Sequence, residues 1–429
     1  QMAGPALALV YLICGLFSFF ILRALGELVL HRPSSGSFVS YAREFLGEKA
    51  AYVAGWMYFI NWAMTGIVDI TAVALYMHYW GAFGGVPQWV FALAALTIVG
   101  TMNMIGVKWF AEMEFWFALI KVLAIVTFLV VGTVFLGSGQ PLDGNTTGFH
   151  LITDNGGFFP HGLLPALVLI QGVVFAFASI EMVGTAAGEC KDPAKSIPIA
   201  VRNVTWRIIA LYIIPITLLI SILPWDEATL TESVFAAALH RYGFDWLGYM
   251  FAFVILTAAI SCSNSGLYGA GRALHGLSRH NMAPKFLGKL NHNGMPQNSI
   301  IVSICACWII ILLYTLDTSE TAYTYLLAVS GFTGAMAWIS ICWSQYNFRK
   351  KMMAENRVSE LKYKTPFFPY VTLFGIWVQV FCLIVIAFTD DLRSTLYAGI
   401  PMMVIPMVIF KLKQIKAHRA GLVRNKTEL

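Results

Sequence analysis

Residues 175–189 read FAFASIEMVGTAAGE, with a carboxylate, Glu181, set among small and apolar side chains. Whether one α-helix runs through this stretch decides what the fold can do. Counted from Leu163, where the apolar run begins, an unbroken helix carries Glu181 about 27 Å along its axis, near a membrane interface and within reach of water or Lys191. The local composition favours an interruption instead. Ala178 and Ser179 precede the carboxylate, and Gly184, Thr185, Ala186, Ala187 and Gly188 follow it. A helix interrupted inside a bilayer leaves main-chain N–H and C=O groups unpaired, which is tolerable only where they line a cavity or bind something. The half-helix end then offers free donors and a partial charge to an anion, and the unwound carbonyls attract a cation. A zwitterionic α-amino acid carries both groups.

The surroundings of this stretch are those of a membrane protein. The 429 residues are 58% hydrophobic and 12% charged, whereas soluble domains carry about 25% charged residues. Apolar runs long enough to cross a hydrocarbon core of roughly 30 Å occur at 3–22, 51–79, 86–106, 115–136, 163–187, 207–224, 246–268, 299–316, 322–346, 367–388 and 395–411. The expectation is an all-α, polytopic membrane protein, one domain over 1–429. Basic residues settle on the cytoplasmic side of such proteins. The segments 23–49, 107–114, 188–207, 269–298, 347–366 and 411–429 fall on one face and hold 25 of the 28 Lys and Arg residues. The opposite face holds only Arg241 and Arg393, and Lys121 lies within a span. A cytoplasmic C-terminus follows, with residue 1 on the outer face and no signal-peptide pattern before the first span. The net charge of +6 is thus a topology signal and gives no reason to expect nucleic acid as a partner.

Polar residues inside the spans are the candidates for function. Lys121, in EFWFALIKVLAIV, stands six residues after Phe115. It either snorkels to the inner interface or points into the bundle, where it can bind and release a proton during a cycle. Asp69, about two-thirds of the way outward along its span, either bonds a neighbouring hydroxyl or faces a wet interior. Asn264, in SCSNSGLYGAGR, reads as close helix packing. The seven cysteines form no metal-binding spacing and read as reduced, packed thiols. Trp80, Trp89 and Trp225, near span ends, read as interfacial anchors.

Four stretches carry a resemblance over essentially the whole chain: GELVLHRPSSGSFVSYAREFLGEKAAYVAGWMYF, EFWFALIKV, FAFASIEMVGTAAGECKDPAKSIPIAV and SNSGLYGAGRALHGLSRHNMAPKF. They resemble the bacterial amino acid permeases of the amino acid–polyamine–organocation superfamily. The half up to about Asp192 is similar to the asparagine-transporting branch, and the remainder equally to lysine and S-methylmethionine permeases. The resemblance implies an inverted-repeat transporter fold of twelve helices with broken helices one and six. Residues 1–136 then form the remainder of the first repeat, 163–346 the second, 367–411 two C-terminal spans and 412–429 a cytoplasmic tail.

Segment 163–187 corresponds to family helix six. The resemblance therefore implies that the amino and carboxylate groups of the substrate meet main-chain atoms near Ala178, Ser179 and Ile180. Phe175 takes the place of an aromatic gate, Glu181 the acidic position past the break and Glu189 a second acidic position. Asp69 joins them as a substrate-side candidate. Lys121 matches a helix-five lysine that takes the place of a sodium ion in proton-coupled relatives, with Glu189 as a further proton-coupling candidate. Ser179 stands where many relatives have glycine. Residue 1 aligns just after family helix one, giving eleven spans of an expected twelve. Residues 1–429 alone are accordingly expected to transport only when that Gly-rich span is supplied.

The implied activity is proton-coupled import of an amino acid across the bacterial cytoplasmic membrane, L-asparagine first. Lysine, S-methylmethionine, D-serine, alanine, glycine or an aromatic amino acid are alternative substrates. An amino acid-binding sensor is the alternative of another class, and it lacks an output domain. The partners are then a small amino acid, protons and the lipid bilayer, with no cofactor and no metal. An enzyme is not expected, since no HExxH or intramembrane Ser/His pair occurs.

Overall fold

The computed structural model describes residues 3–34, 37–77, 83–138, 148–154, 156–177, 179–187, 190, 192–226, 234–240, 243–292, 294–316, 320–388 and 393–419. All regular structure among them is helical. The α-helices are α1 Leu7–His31, α2 Ser37–Leu46, α3 Glu48–Met77, α4 Gln88–Ile105, α5 Val107–Ser138, α6 Leu151–Asp154, α7 Leu163–Ala176 and α8 Met182–Ala187. They continue as α9 Pro193–Ile208, α10 Ile214–Ile222, α11 Val234–His240, α12 Asp245–Arg279, α13 Gln297–Leu316, α14 Glu320–Ala354, α15 Tyr370–Ala387 and α16 Arg393–Arg419. A π-helical turn, Ile209–Ile213, joins α9 to α10.

Among the described residues, eight helices are long and apolar enough to cross a membrane: Gly4–His31, Glu48–Met77, Gln88–Ile105, Lys108–Ser138, Pro193–Ile222, Asp245–Arg279, Tyr370–Ala387 and Thr395–Lys416. Leu163–Val174 and Gln297–Trp308 are apolar but shorter. The first of these is short for a physical reason, because α7 stops at Ala176 and helix resumes only at Met182. One boundary departs from the sequence expectation. Residues 107–114 were expected in a loop, yet α5 starts at Val107 directly after Gly106, so Glu114 belongs to the helix that carries Lys121.

Helices surrounded by lipid tails gain little from apolar burial, so close approach and dispersion contacts decide how they pack. Helix α3 packs along both α12 and α14. At the α3–α12 crossing, a Cβ built on Gly269 would sit 3.0 Å from the Trp62 ring, and one on Gly266 3.7 Å from the backbone of Gly66. At Gly269 a Cβ would force the Trp62 ring to give by a few tenths of an ångström, whereas at Gly266 it would make ordinary contact. Across the α3–α14 contact runs a buried polar seam. Thr65 Oγ1 lies 2.8 Å from Ser330 Oγ, and the Ser330 and Thr333 hydroxyls both donate to Asn61 Oδ1 at 3.2 Å.

A second lock joins α1 to α14 and α15. The Glu27 carboxylate, fully buried, receives two 2.6 Å hydrogen bonds from the Arg349 guanidinium. It also accepts from Gln345 Nε2 at 3.1 Å and from the Thr365 main-chain N–H at 2.6 Å. Gln345 in turn accepts from Thr372 Oγ1 at 2.7 Å. Every donor around the carboxylate is therefore directed at it, the condition under which a buried ion pair is tolerated.

All seven cysteines are free. Cys14, Cys307, Cys342 and Cys382 are packed as expected, but Cys262 and Cys305 are exposed, which corrects the expectation of packed thiols throughout the spans.

Candidate functional site

The interruption in the 163–187 segment is built by one backbone conformation. Ser179 has φ +79°, the left-handed region that costs a residue with a Cβ about 1–3 kcal/mol. Around it the chain turns on i→i−3 bonds: Phe177 N–H to Val174 at 3.0 Å, Met182 N–H to Ser179 at 3.0 Å and Gly184 N–H to Glu181 at 3.0 Å. Ser179 is exposed and Ile180 half-buried, so the turn faces open space. Ala178 and Glu189 lie outside the described residues, as does the side chain of Phe175. The strain at Ser179 makes a test of the turn. Ser179→Gly is expected to raise thermal stability in detergent by about 1 kcal/mol, whereas a lower Tm would mean that the left-handed turn is absent.

Glu181, 2% exposed, is buried against α14, where the Trp338 indole donates to Oε2 at 3.0 Å. The main-chain amides of Ser179 and Glu181 also interact with the carboxylate. Glu181 is thus held from both sides of the break. On the other side of the turn three aromatic rings gather. Phe177 lies 5.0 Å from Tyr212 and 6.1 Å from Tyr11, and Tyr11 and Tyr212 stack at 5.9 Å. The Tyr212 hydroxyl donates to the carbonyl of Ala176 at 3.3 Å, satisfying one of the carbonyls that the helix end leaves free.

The remaining intramembrane candidates are brought together where α3, α4, α5 and α12 meet. Lys121 Nζ donates to Ser261 Oγ at 2.7 Å, and Ser261 donates to Glu114 Oε2 at 2.8 Å. Asn264 Nδ2 donates to Glu114 Oε1 at 2.8 Å, while Asn103 Nδ2 donates to Asn264 Oδ1 at 2.8 Å. Asp69 shares a hydrogen bond with the Cys262 thiol and feels the charge of Lys121; its Oδ2 is buried without a partner. Lys121 points into the bundle, and Asn264, which read as packing, ties α12 to α4 and α5.

Sequence reasoning missed Glu114, Ser261, Tyr212 and Trp338. A signal existed for the first, because Glu114 and Lys121 are two helical turns apart and share a face. No local pattern announces the others.

The arrangement offers an exposed left-handed turn beside a buried carboxylate, and a linked set of titratable groups where α3, α4, α5 and α12 meet. Such a site can hold a small zwitterion and move a proton; nothing in it activates a nucleophile. Residues 1–419 match the family described as amino acid permease. The chain is 62% identical over 410 residues to the L-asparagine permease of Escherichia coli (strain K12), covering 95% of this chain and 82% of that protein. It is 60% identical over 409 residues to the L-asparagine permease of Salmonella typhimurium, with coverage of 95% and 82%. The L-asparagine permease 1 of Mycobacterium tuberculosis (strain ATCC 25618 / H37Rv) is 47% identical over 368 residues, 86% of this chain and 75% of the relative.

Proposed function

Because the chain belongs to the amino acid permease family, a family of transporters and not of enzymes, we infer that it imports L-asparagine across the bacterial cytoplasmic membrane together with protons. The observation that carries the choice of substrate is the 62% identity to an L-asparagine permease along 95% of the chain. The distribution of basic residues supports a cytoplasmic C-terminus. Residues 1–136 act as the remainder of the first inverted repeat and 163–346 as the second, with 367–411 as two further spans and 412–429 as a cytoplasmic tail.

The substrate sits at the turn between α7 and α8. Its amino and carboxylate groups meet main-chain atoms near Ala178, Ser179 and Ile180. Phe175 gates the site. Glu181 fixes the turn through its bond to Trp338 and supplies negative charge near the ammonium group. Asp69, with one oxygen unpartnered, serves as a polar wall on the α3 side. Lys121 carries the coupled proton, with Glu189 as a second proton-binding group. Rocking of one bundle against the other exposes this site to each side in turn. No bond of the substrate is made or broken.

Uptake of labelled amino acids by the full-length protein in proteoliposomes tests the substrate. Excess unlabelled L-asparagine is expected to suppress labelled asparagine uptake fully, and lysine, S-methylmethionine, D-serine and phenylalanine weakly. Strong displacement by one of these, with no effect of asparagine, would overturn the assignment.

A further inference from the structure

We propose that Glu114 is the inner-side proton acceptor of Lys121, reached through the Ser261 hydroxyl. This rests on the reading of Lys121 as the proton-carrying group. Lys121 and Glu114 make no direct ion pair among the described residues. Between them stands Ser261, 1% exposed, which accepts from the lysine at 2.7 Å and donates to the carboxylate at 2.8 Å. Both hydrogen bonds run in one direction, from ammonium to hydroxyl to carboxylate. A proton can therefore pass by two short transfers. One N–H bond of the Lys121 ammonium breaks as a new O–H bond forms on Ser261, and the original Ser261 proton moves to Glu114 Oε2. The products are a neutral amine and a carboxylic acid, and rotation of the hydroxyl resets the relay.

The rest of the cluster holds this path in place. Asn103 donates to the Asn264 carbonyl oxygen, which leaves the Asn264 amide nitrogen to face Glu114. Asn264 then occupies Glu114 Oε1, so that Oε2 alone is available to Ser261. Glu114 lies two turns before Lys121, toward the start of α5, and is half-buried; it can pass the proton to water at that end. The other titratable groups facing the relay are Asp69 on α3 and Cys262 on α12. Asp69 bonds the thiol and is no part of the path to Glu114.

Counterflow of the loaded carrier needs no net proton release, whereas accumulation driven by a pH gradient does. The test compares both in proteoliposomes of the full-length protein with labelled L-asparagine. Ser261→Ala and Glu114→Gln are expected to lower gradient-driven accumulation about tenfold or more, in line with the loss of a positioned proton-transfer group, with counterflow near the wild-type level. Ser261→Thr, which keeps the hydroxyl, restores accumulation. Wild-type accumulation in both Ser261→Ala and Glu114→Gln overturns the relay. So does equal loss of counterflow and accumulation that Ser261→Thr does not rescue, because the residues are then structural. A wild-type protein indifferent to the pH gradient, or a Lys121→Ala variant that accumulates normally, instead removes the coupling role of Lys121 on which the relay depends.

Discussion

Replacing Lys121 with alanine is expected to abolish accumulation of substrate against a gradient while leaving exchange intact. The amine lies within the bundle, bonded to Ser261 and within electrostatic reach of Asp69. Truncation leaves Ser261 and Glu114 bonded to each other but removes the Lys121 cation that faces both Glu114, through Ser261, and Asp69. Loss of a group that binds and releases the coupled proton is expected to lower concentrative uptake by about a hundredfold or more. The measurement is uptake with and without an imposed pH gradient, beside counterflow at equal pH. A Lys121→Ala protein that still accumulates substrate, and loses it to an uncoupler, assigns the proton elsewhere.

The second large effect is on stability. Arg349→Met leaves Glu27 buried with its strongest partner gone, and breaking a buried ion pair on one side costs about 3–5 kcal/mol. The Gln345 and Thr365 donors remain but do not neutralise the charge. Thermal unfolding in detergent is expected to show a marked fall in Tm for Arg349→Met. The double variant Glu27→Gln with Arg349→Met is expected to recover most of the loss, because Gln keeps an acceptor for the Thr365 amide without a charge. A single variant as stable as the wild type would mean that the pair is not buried as described.

How much of this was legible in the sequence depended on range. Helices stand at each of the eleven apolar runs, and eight of them are long and apolar enough to cross a membrane among the described residues. The α7–α8 interruption was legible at Ala178-Ser179, whereas Gly184–Ala187, which also read as favouring a break, lie within α8. Lys121 stood out as the one basic residue within a span. Glu114 was hidden by a boundary error: assigned to a loop, it could not share a face with Lys121. The Glu27–Arg349 pair joins residues 322 positions apart, and the Trp338–Glu181 bond joins residues 157 apart. Pairings of that kind depend on tertiary packing and leave no periodic trace. The left-handed backbone at Ser179 was not legible either, because a serine gives no local sign of a positive φ.

The central claim is that the groups common to all amino acids are held by the main chain at Ser179, between two half-helices. Counterflow of labelled L-asparagine, challenged with derivatives blocked at one end, tests it most directly. Free L-asparagine is expected to compete fully, and both N-acetyl-asparagine and asparagine methyl ester are expected to fail. If either blocked derivative displaces the label as well as asparagine does, the substrate is not held by its amino and carboxylate groups at this turn.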